Sequence, residues 1–242
     1  MEQLSSTELS NQAYVLSASN DYDSYYYIKR NMDTLLASLA LIFLSPVMII
    51  IAVLIKLDSR GAVLFTQERV GARRYFKNGR VVWQVQKFRV YKFRTMVQNA
   101  DSSLHQEYIK AFIEGNAEPA GPDGKVYKLT NDPRVTGVGK FLRKTSLDEL
   151  PQLFNVLLGE MSLIGPRPVP VYEYERYEAW HRERLAALPG ITGFWQVSGR
   201  CQVSFEEMIR MDIEYVRHQT LWLDLKILLW TIPAVVSGRG AE

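Results

Sequence analysis

Thr34-Leu35-Leu36-Ala37-Ser38-Leu39-Ala40-Leu41-Ile42-Phe43-Leu44-Ser45-Pro46-Val47-Met48-Ile49-Ile50-Ile51-Ala52-Val53-Leu54-Ile55 is a run of 22 residues without a charge, bounded by Asp33 and Lys56. At about 1.5 Å per residue a straight helix of this length reaches roughly 33 Å, enough to cross a hydrocarbon core of about 30 Å. Pro46 falls just past the middle of the run. An internal proline removes one backbone hydrogen bond and clashes with the preceding turn, and membrane helices tolerate it as a kink when a nearby hydroxyl re-satisfies the backbone. Ser45 is placed to do so. Residues 56–80 hold seven basic side chains against Asp58 and Glu68, which assigns the C-terminal body to the cytoplasm. Lys29 and Arg30 make the other mouth basic as well. Two topologies meet this pattern: one kinked span with the preceding tail outside, or a segment that dips in and returns to the same face.

The remaining composition narrows the class. The chain has 242 residues, 47% of them apolar and 12% aromatic, which rules out a wholly disordered protein. One cysteine, Cys201, excludes an internal disulfide framework, and His105, His181 and His218 are too scattered to form a helix-borne metal site. Net charge is +3, yet Met1–Ile28 lacks Lys and Arg and has four acids, so the rest carries +7. A basic body suits anionic lipid or phosphate partners. Met1–Ile28 reads as a mobile acidic and polar tail, in which Tyr25-Tyr26-Tyr27 can rest at a membrane interface.

After the apolar run, Val81–Val97 reads as a strand with projecting Lys87, Arg89, Lys92 and Arg94. Asp101–Gly115 has helical spacing, and Gly115–Gly124 is a loop. Asp132-Pro133-Arg134 is a turn. Leu150, Leu153, Phe154, Leu157 and Leu158 form one apolar helix face, stopped by Gly159. Val171–Leu188 reads as an amphipathic helix, Thr192–Gly199 as strand and turn, Phe205–His218 as a helix, and Leu221–Ile232 as a core or interfacial segment. The organisation expected is a tail over 1–28, a membrane segment over 29–60 and a single body over 61–242.

Ser146-Leu147-Asp148-Glu149 opens the apolar helix with the spacing of a capping box, and local sequence reads first as capping. Paired carboxylates at a helix start can do more. An ionised Asp148 is a competent nucleophile toward phosphorus, provided that cations neutralise the anionic diphosphate it meets. Arg143, Arg134 and Arg167 lie around the dyad in sequence, and a guanidinium on the stiff Pro166-Arg167-Pro168 loop makes a phosphate clamp. The chain has neither a Gly-x-x-x-x-Gly-Lys phosphate loop nor a Gly-x-Gly-x-x-Gly fingerprint.

Several blocks together resemble the monotopic phosphoglycosyl transferases, also called bacterial sugar transferases or polyprenyl-phosphate hexose-1-phosphate transferases. They are Ser45-Pro46, Lys92-Phe93-Arg94-Thr95-Met96, Asp132-Pro133-Arg134-Val135-Thr136, Leu142 through Leu153, Met161 through Pro168, Pro189 through Gly193 and Gln196 through Arg200. The resemblance implies an α+β fold: a mostly helical cytosolic catalytic domain with small β elements, anchored by a re-entrant helix bent at Ser45 and Pro46 and by interfacial helices. It implies that Asp148 attacks the β-phosphate of a UDP-sugar and that the covalent phosphosugar passes to undecaprenyl phosphate. Glu149 matches the partner acid, and magnesium is the family cofactor, with Asp148 and Glu149 as its expected ligands. Arg143 and Arg167 match phosphate-binding arginines, Asp212 matches a functionally important carboxylate, and Arg200, Arg94 and Arg134 are further substrate-binding candidates. The location implied is the bacterial inner membrane, facing the cytoplasm. A homodimer and later glycosyltransferases are further candidate partners, and nucleic acid is not. A silent membrane anchor that recruits later glycosyltransferases and a lipid-phosphate hydrolase stand as alternatives. Tyr75–Gln86 departs from the family pattern and reads as a variable loop or strand extension.

Overall fold

A computed structural model of the chain describes residues 13–16, 20–77, 80–117, 132–199 and 203–236. The loop expected over Gly115–Gly124 lies largely outside the described residues, as do Arg200 and the first twelve residues of the expected tail.

The uncharged run forms the greater part of one helix, α1 (Asn20–Asp58), long and apolar enough to cross a membrane. Pro46 sits inside it, and the helix continues on both sides. The carbonyl that loses its amide partner to a proline at 46 is that of Ile42, and Ser45 Oγ donates to it at 2.9 Å. The hydroxyl repair anticipated from sequence is therefore present. The less exposed positions Ala37, Leu41, Leu44, Met48, Ile51 and Ile55 recur every three or four residues, so one stripe of α1 is sheltered along its length. Ala37 packs with Phe88, Leu153 and Met161, whereas Ile51 and Ile55 pack with Phe93 and Leu142. Outside the stripe, Ile42, Phe43, Ile49 and Leu57 are exposed.

Polar contacts fasten both ends of this helix to the same body. Near its start, Lys29 Nζ and Tyr25 Oη donate to Asp224 at 2.8 and 2.9 Å, and Arg30 donates to the carbonyls of Val156 and Leu157 at 2.6 and 3.0 Å. Asp33 accepts from the Leu163 amide at 3.1 Å. Near its end, Asp58 accepts from the Val138 amide at 3.1 Å.

The tail boundary expected at residue 28 is not a structural one. β1 (Ala13–Leu16) adds to a sheet, and α1 starts at Asn20. Tyr25 is buried and Tyr26 lies edge-on to Trp83 under the Arg74 guanidinium, so of the three tyrosines only Tyr27 is strongly exposed.

β2 (Leu64–Lys77) and β3 (Arg80–Phe93) form an antiparallel hairpin in register from Leu64↔Phe93 to Lys77↔Arg80. Fourteen residues at about 3.3 Å each make an arm of roughly 46 Å, much larger than the small β elements expected. Tyr75–Gln86 is the outer part of this arm, a strand extension, and β1 pairs there from Ala13↔Gln84 to Leu16↔Val81. β5 (Val169–Pro170) closes the other edge against Arg69 and Val70. A second, parallel pair joins β4 (Ser162–Ile164) to β6 (Gly190–Thr192).

The helices that follow β3 are α2 (Ser103–Ile113), α3 (Gly137–Lys144), α4 (Gln152–Leu157), α5 (Val171–Tyr174), α6 (Phe194–Ser198), α7 (Phe205–Arg217) and α8 (Leu221–Val236). The amphipathic helix expected over Val171–Leu188 is α5 followed by a separate 3-10 turn, His181–Leu185. That segment folds around its own polar side chains, since Glu173, His181 and Arg184 are buried. Thr192–Gly199 is the end of β6 and then helix α6, not strand and turn. The apolar face of α4 divides: Leu153 and Val156 enter the core, while Phe154 and Leu158 are exposed. Trp222, Leu225, Leu229, Trp230 and Ile232 of α8 are exposed as well.

Candidate active site

Asp148 and Glu149 lie in a 3-10 turn, Leu147–Glu149, between α3 and α4. The capping box expected at Ser146 does not form. Ser146 adopts left-handed backbone angles (φ +56°) and its hydroxyl makes no capping bond, a conformation that costs a non-glycine residue about 1–2 kcal/mol. Pro151 explains the arrangement: without an N–H it cannot bond to the Leu147 carbonyl as a continuing α-helix requires. The turn closes instead through Glu149 N–H to Ser146 O and Leu150 N–H to Leu147 O, and α4 begins after the proline. A capping box does exist at the start of α7, between Ser204 and Glu207.

The turn faces the end of β3. Period-two alternation sends Phe93 into the core and Lys92 to the opposite side. Lys92 Nζ lies 2.6 Å from Glu149 Oε1 and 3.8 Å from Asp148 Oδ2. Arg167 donates to the same Glu149 oxygen at 2.7 Å. Burial alone would raise the Glu149 pKa, but Arg167 and Lys92 outweigh it and hold this carboxyl well below the usual range. Burial raises the Asp148 pKa, and the neighbouring Glu149 charge adds to that, against the pull of Lys92, Arg167 and Arg143. One acid is thus locked as an anion between two cations. The other keeps a carboxylate that makes no hydrogen bond among the described residues.

Arg143 and Arg167 reach the dyad along different routes. Arg143 closes α3, whose first turn is capped by Thr136 Oγ1 accepting from the Gly139 amide at 3.0 Å. A Cβ on Gly139 would stand 2.1 Å from the Thr95 carbonyl oxygen, so only glycine lets α3 lie this close to the chain leaving β3. That approach puts Arg143 Nε 3.0 Å from Thr95 Oγ1, with Asp148 acting on its charge. Arg167 is set by its loop. The Gly165 amide donates to Thr192 O and the Gly190 amide to Pro166 O, both at 2.9 Å. A Cβ on Gly165 would meet the Leu188 carbonyl at 2.2 Å, which explains why Gly165-Pro166 and Pro189-Gly190 occur together. Arg69 Nη1 holds the Pro168 carbonyl at 3.1 Å.

Asp212 takes a different place from the one a substrate contact would need. It is fully buried on α7 and pairs with Arg184, itself 1% exposed. Arg184 also donates to Tyr177 Oη and, at 3.1 Å, to the Arg167 carbonyl. Burial lowers the Arg184 pKa, but Asp212, Tyr177 and Glu173 together hold it above its ordinary value. Asp212 is therefore linked, through Arg184, to the backbone of the loop that carries Arg167. Arg94 is likewise not brought to the dyad: it donates to the Ser59 carbonyl at 2.8 Å, to Ser59 Oγ and to the Arg60 carbonyl, capping the end of α1. Arg134 is paired with Asp132 at 2.5 Å within the turn and also bonds the Asp101 carbonyl. Arg200 lies outside the described residues. Lys92 was not singled out from sequence, although it opens the Lys92-Phe93-Arg94-Thr95-Met96 block.

Among the described residues no group of three or more acidic, histidine or cysteine side chains gathers around a common point. The dyad offers the Asp148 carboxylate and the Glu149 oxygen not held by Lys92 and Arg167. Mg²⁺ is commonly held by one or two carboxylates together with substrate phosphates and water, so this donor set fits it.

Asp148 thus has Lys92, Arg143 and Arg167 acting on its charge, on a body that bears a long apolar helix. The sequence pattern described as "Bacterial sugar transferase" matches residues 24–238, and the chain belongs to that family. It is 42% identical over 213 residues to the exopolysaccharide production protein ExoY of Rhizobium meliloti (strain 1021), covering 88% of this chain and 87% of that protein. It is 41% identical over 220 residues to the galactosyl transferase CpsE of Streptococcus agalactiae serotype III, covering 90% of this chain and 44% of CpsE. The match to the undecaprenyl-phosphate galactose phosphotransferase of Salmonella typhimurium is 42% over 215 residues, 89% of this chain and 42% of that protein. The chain thus spans less than half of the last two and most of ExoY.

Proposed function

We propose that this protein transfers a hexose-1-phosphate, galactose or glucose phosphate, from a UDP-sugar to undecaprenyl phosphate, and so initiates an exopolysaccharide or other surface glycan. The observation that carries the reading is the Asp148 carboxylate, paired with Lys92 at 3.8 Å, free of hydrogen bonds among the described residues and under the charges of Arg143 and Arg167, with Glu149 held as an anion next to it. The names of the relatives support the substrates.

In the first displacement an Asp148 oxygen bonds to the β-phosphorus, the bond from that phosphorus to the bridging oxygen breaks, and UMP leaves. In the second, a phosphate oxygen of undecaprenyl phosphate bonds to the same phosphorus, and the acyl-phosphate bond breaks to restore Asp148. Splitting the transfer lets two anionic substrates use one site in turn. Lys92, Arg143 and Arg167 draw the diphosphate in and offset the charge that develops on the transferring group. Bound Mg²⁺, held by Asp148 and Glu149, would neutralise phosphate charge in the same place.

The membrane segment is read as re-entrant, with the body on the cytoplasmic side. A full crossing would deliver one end of α1 to the far side of a core about 30 Å thick, whereas Arg30, Asp33 and Asp58 tie both ends to one body. Exposed Phe154, Leu158, Trp222 and Trp230 suit an interfacial seat for α4 and α8.

The deciding experiment incubates the membrane-embedded protein with labelled UDP-sugar. A sugar-phosphate adduct on Asp148 and release of UMP are expected, and Asp148→Asn abolishes both while staying folded in the membrane fraction. Full transfer by that variant refutes the nucleophile. A cysteine introduced near position 10 should label from the cytosolic side alone, and periplasmic labelling would restore a simple span.

A further inference from the structure

The two faces of α3 differ. Gly139 and Leu142 are buried, and Leu142 packs with Ile51 and Ile55 in the last turns of α1. Gly137, Lys140, Phe141 and Lys144 recur at i, i+3, i+4 and i+7 and are all exposed, Phe141 at 56%. The outer face thus presents an aromatic ring with two ammonium groups one turn apart.

Contacts fix where this face lies. The uncharged run of α1 ends at Ile55, and Asp58 accepts from the Val138 amide in the first turn of α3 at 3.1 Å. α3 therefore stands beside the turns where α1 passes from apolar to charged sequence. With α1 seated in lipid as proposed above, that is headgroup depth. The other side of α3 borders the reaction centre. Arg143 Nε donates to Thr95 Oγ1 at 3.0 Å, and Leu147 of the dyad turn packs in the same cluster as Leu142. Only the thickness of one helix, about 10–12 Å with its side chains, separates the two faces.

Lys140 and Lys144 have no ion pair or hydrogen bond among the described residues. Two lysines at i and i+4 repel each other. The helix dipole favours a cation in the last turn, which accounts for Lys144 but not for Lys140. A dianion held between them removes the repulsion. A phosphate monoester carries about −1.5 to −2 charges at pH 7, whereas the phosphodiester of an ordinary phospholipid carries one. Phe141 adds apolar contact for a hydrocarbon chain.

We propose that Lys140, Phe141 and Lys144 form a docking surface for the acceptor lipid, a polyprenyl monophosphate, from which its phosphate moves on to Asp148. This deepens the transferase reading by giving its second substrate a place of entry, and it rests on that reading. The lysines gather the acceptor at the rim, and the bonds change at the dyad.

The test uses the full chain in nanodiscs of neutral phosphatidylcholine that hold undecaprenyl phosphate. Lys140→Gln and Lys144→Gln should each raise KM for undecaprenyl phosphate about 5-fold, and the double variant about 25-fold, the effect of one basic residue near an anionic lipid applied once and twice. Lys140→Arg/Lys144→Arg keeps both charges and should retain the wild-type KM. UMP release from the UDP-sugar without acceptor should be unchanged in every variant, because these side chains face away from Arg143. A double Gln variant with unchanged acceptor KM, or one that slows UMP release as much as overall transfer, overturns the docking surface. Phosphatidylglycerol added to the discs separates the acceptor from bulk anionic lipid. The ratio of variant to wild-type KM should survive the addition, and a ratio that collapses to one overturns the assignment to the acceptor. Binding of a fluorescent polyprenyl phosphate to Asp148→Asn, with and without the two lysines, needs no turnover. Weaker binding without them supports the surface independently, whereas a wild-type protein that releases no UMP overturns the transferase reading by itself.

Discussion

Replacing Arg184 with methionine should separate the stability of this protein from its chemistry. The substitution keeps much of the side-chain volume and removes the charge, stranding Asp212 at 0% exposure and taking the 3.1 Å donor from the Arg167 carbonyl. Removing one partner of a buried ion pair costs about 3–5 kcal/mol. For a domain of this size each kcal/mol moves Tm by about 2–4 °C, so a fall of roughly 6–20 °C is expected. In Arg184→Met/Asp212→Leu the Asp212 charge is no longer stranded, while Glu173 still lacks the guanidinium 4.0 Å away, so part of that loss should return. The clamp loop still lacks its donor in the double variant, so KM for the UDP-sugar should stay raised after stability recovers. Thermal scans at one fixed rate in nanodiscs, paired with donor kinetics on all three variants, make the measurement. A single variant within 2 °C of wild type, or a double variant that regains KM together with Tm, would refute the assignment of Asp212 and Arg184 as positioning residues.

Other consequences are equally direct. Lys92→Met removes the cation shared by both acids and should slow UMP release by about 100- to 1,000-fold, a range typical for one transition-state charge contact, with Lys92→Arg partly active. Gly139→Ala drives a methyl group to 2.1 Å from the Thr95 carbonyl. It should lower Tm and displace Arg143, seen as weaker UDP-sugar binding by calorimetry. The pH dependence of stability should carry a His105 component: its folded pKa is about 4 against an ordinary 6.5. The unfolded chain then binds more protons between those values, so this stabilisation is full above pH 6.5 and is lost as pH falls toward 4. Urea titrations at pH 7 and pH 4.5 should show a flatter decline for His105→Gln than for wild type.

How far the sequence spoke depended on whether a feature was local. The uncharged run, the Ser45 repair of Pro46 and the Arg143, Asp148, Glu149 and Arg167 grouping could be read from neighbours in the chain. Ser146 was misread because its hydroxyl and Glu149 have capping-box spacing, and the missing amide of Pro151 decided the outcome. Lys92 was passed over for Arg94 because a strand of alternating basic residues does not reveal which one meets an acid 57 positions away. Arg94 found its partners in the open carbonyls at the end of α1, a need visible only once that helix end is placed. The pairing of Asp212 with Arg184 joins α7 to a 3-10 turn 28 residues earlier, and no periodicity marks it. Val171–Leu188 reads as amphipathic, yet Glu173 and Arg184 are both buried with polar partners, a pairing that spacing along one helix does not reveal.

Two moorings on α1 also bear on how the protein meets lipid. A free span answers a thicker or thinner bilayer by tilting. A rod tied at Asp33 and again at Asp58 cannot pivot. With α1 seated in lipid as proposed, the height of Asp148 above the acyl chains would be dictated by protein geometry, and the surrounding leaflet would deform to match. On the re-entrant reading proposed above, turnover should stay level as host lipids are lengthened, and the polyprenol carrier would arrive and depart sideways within a single leaflet.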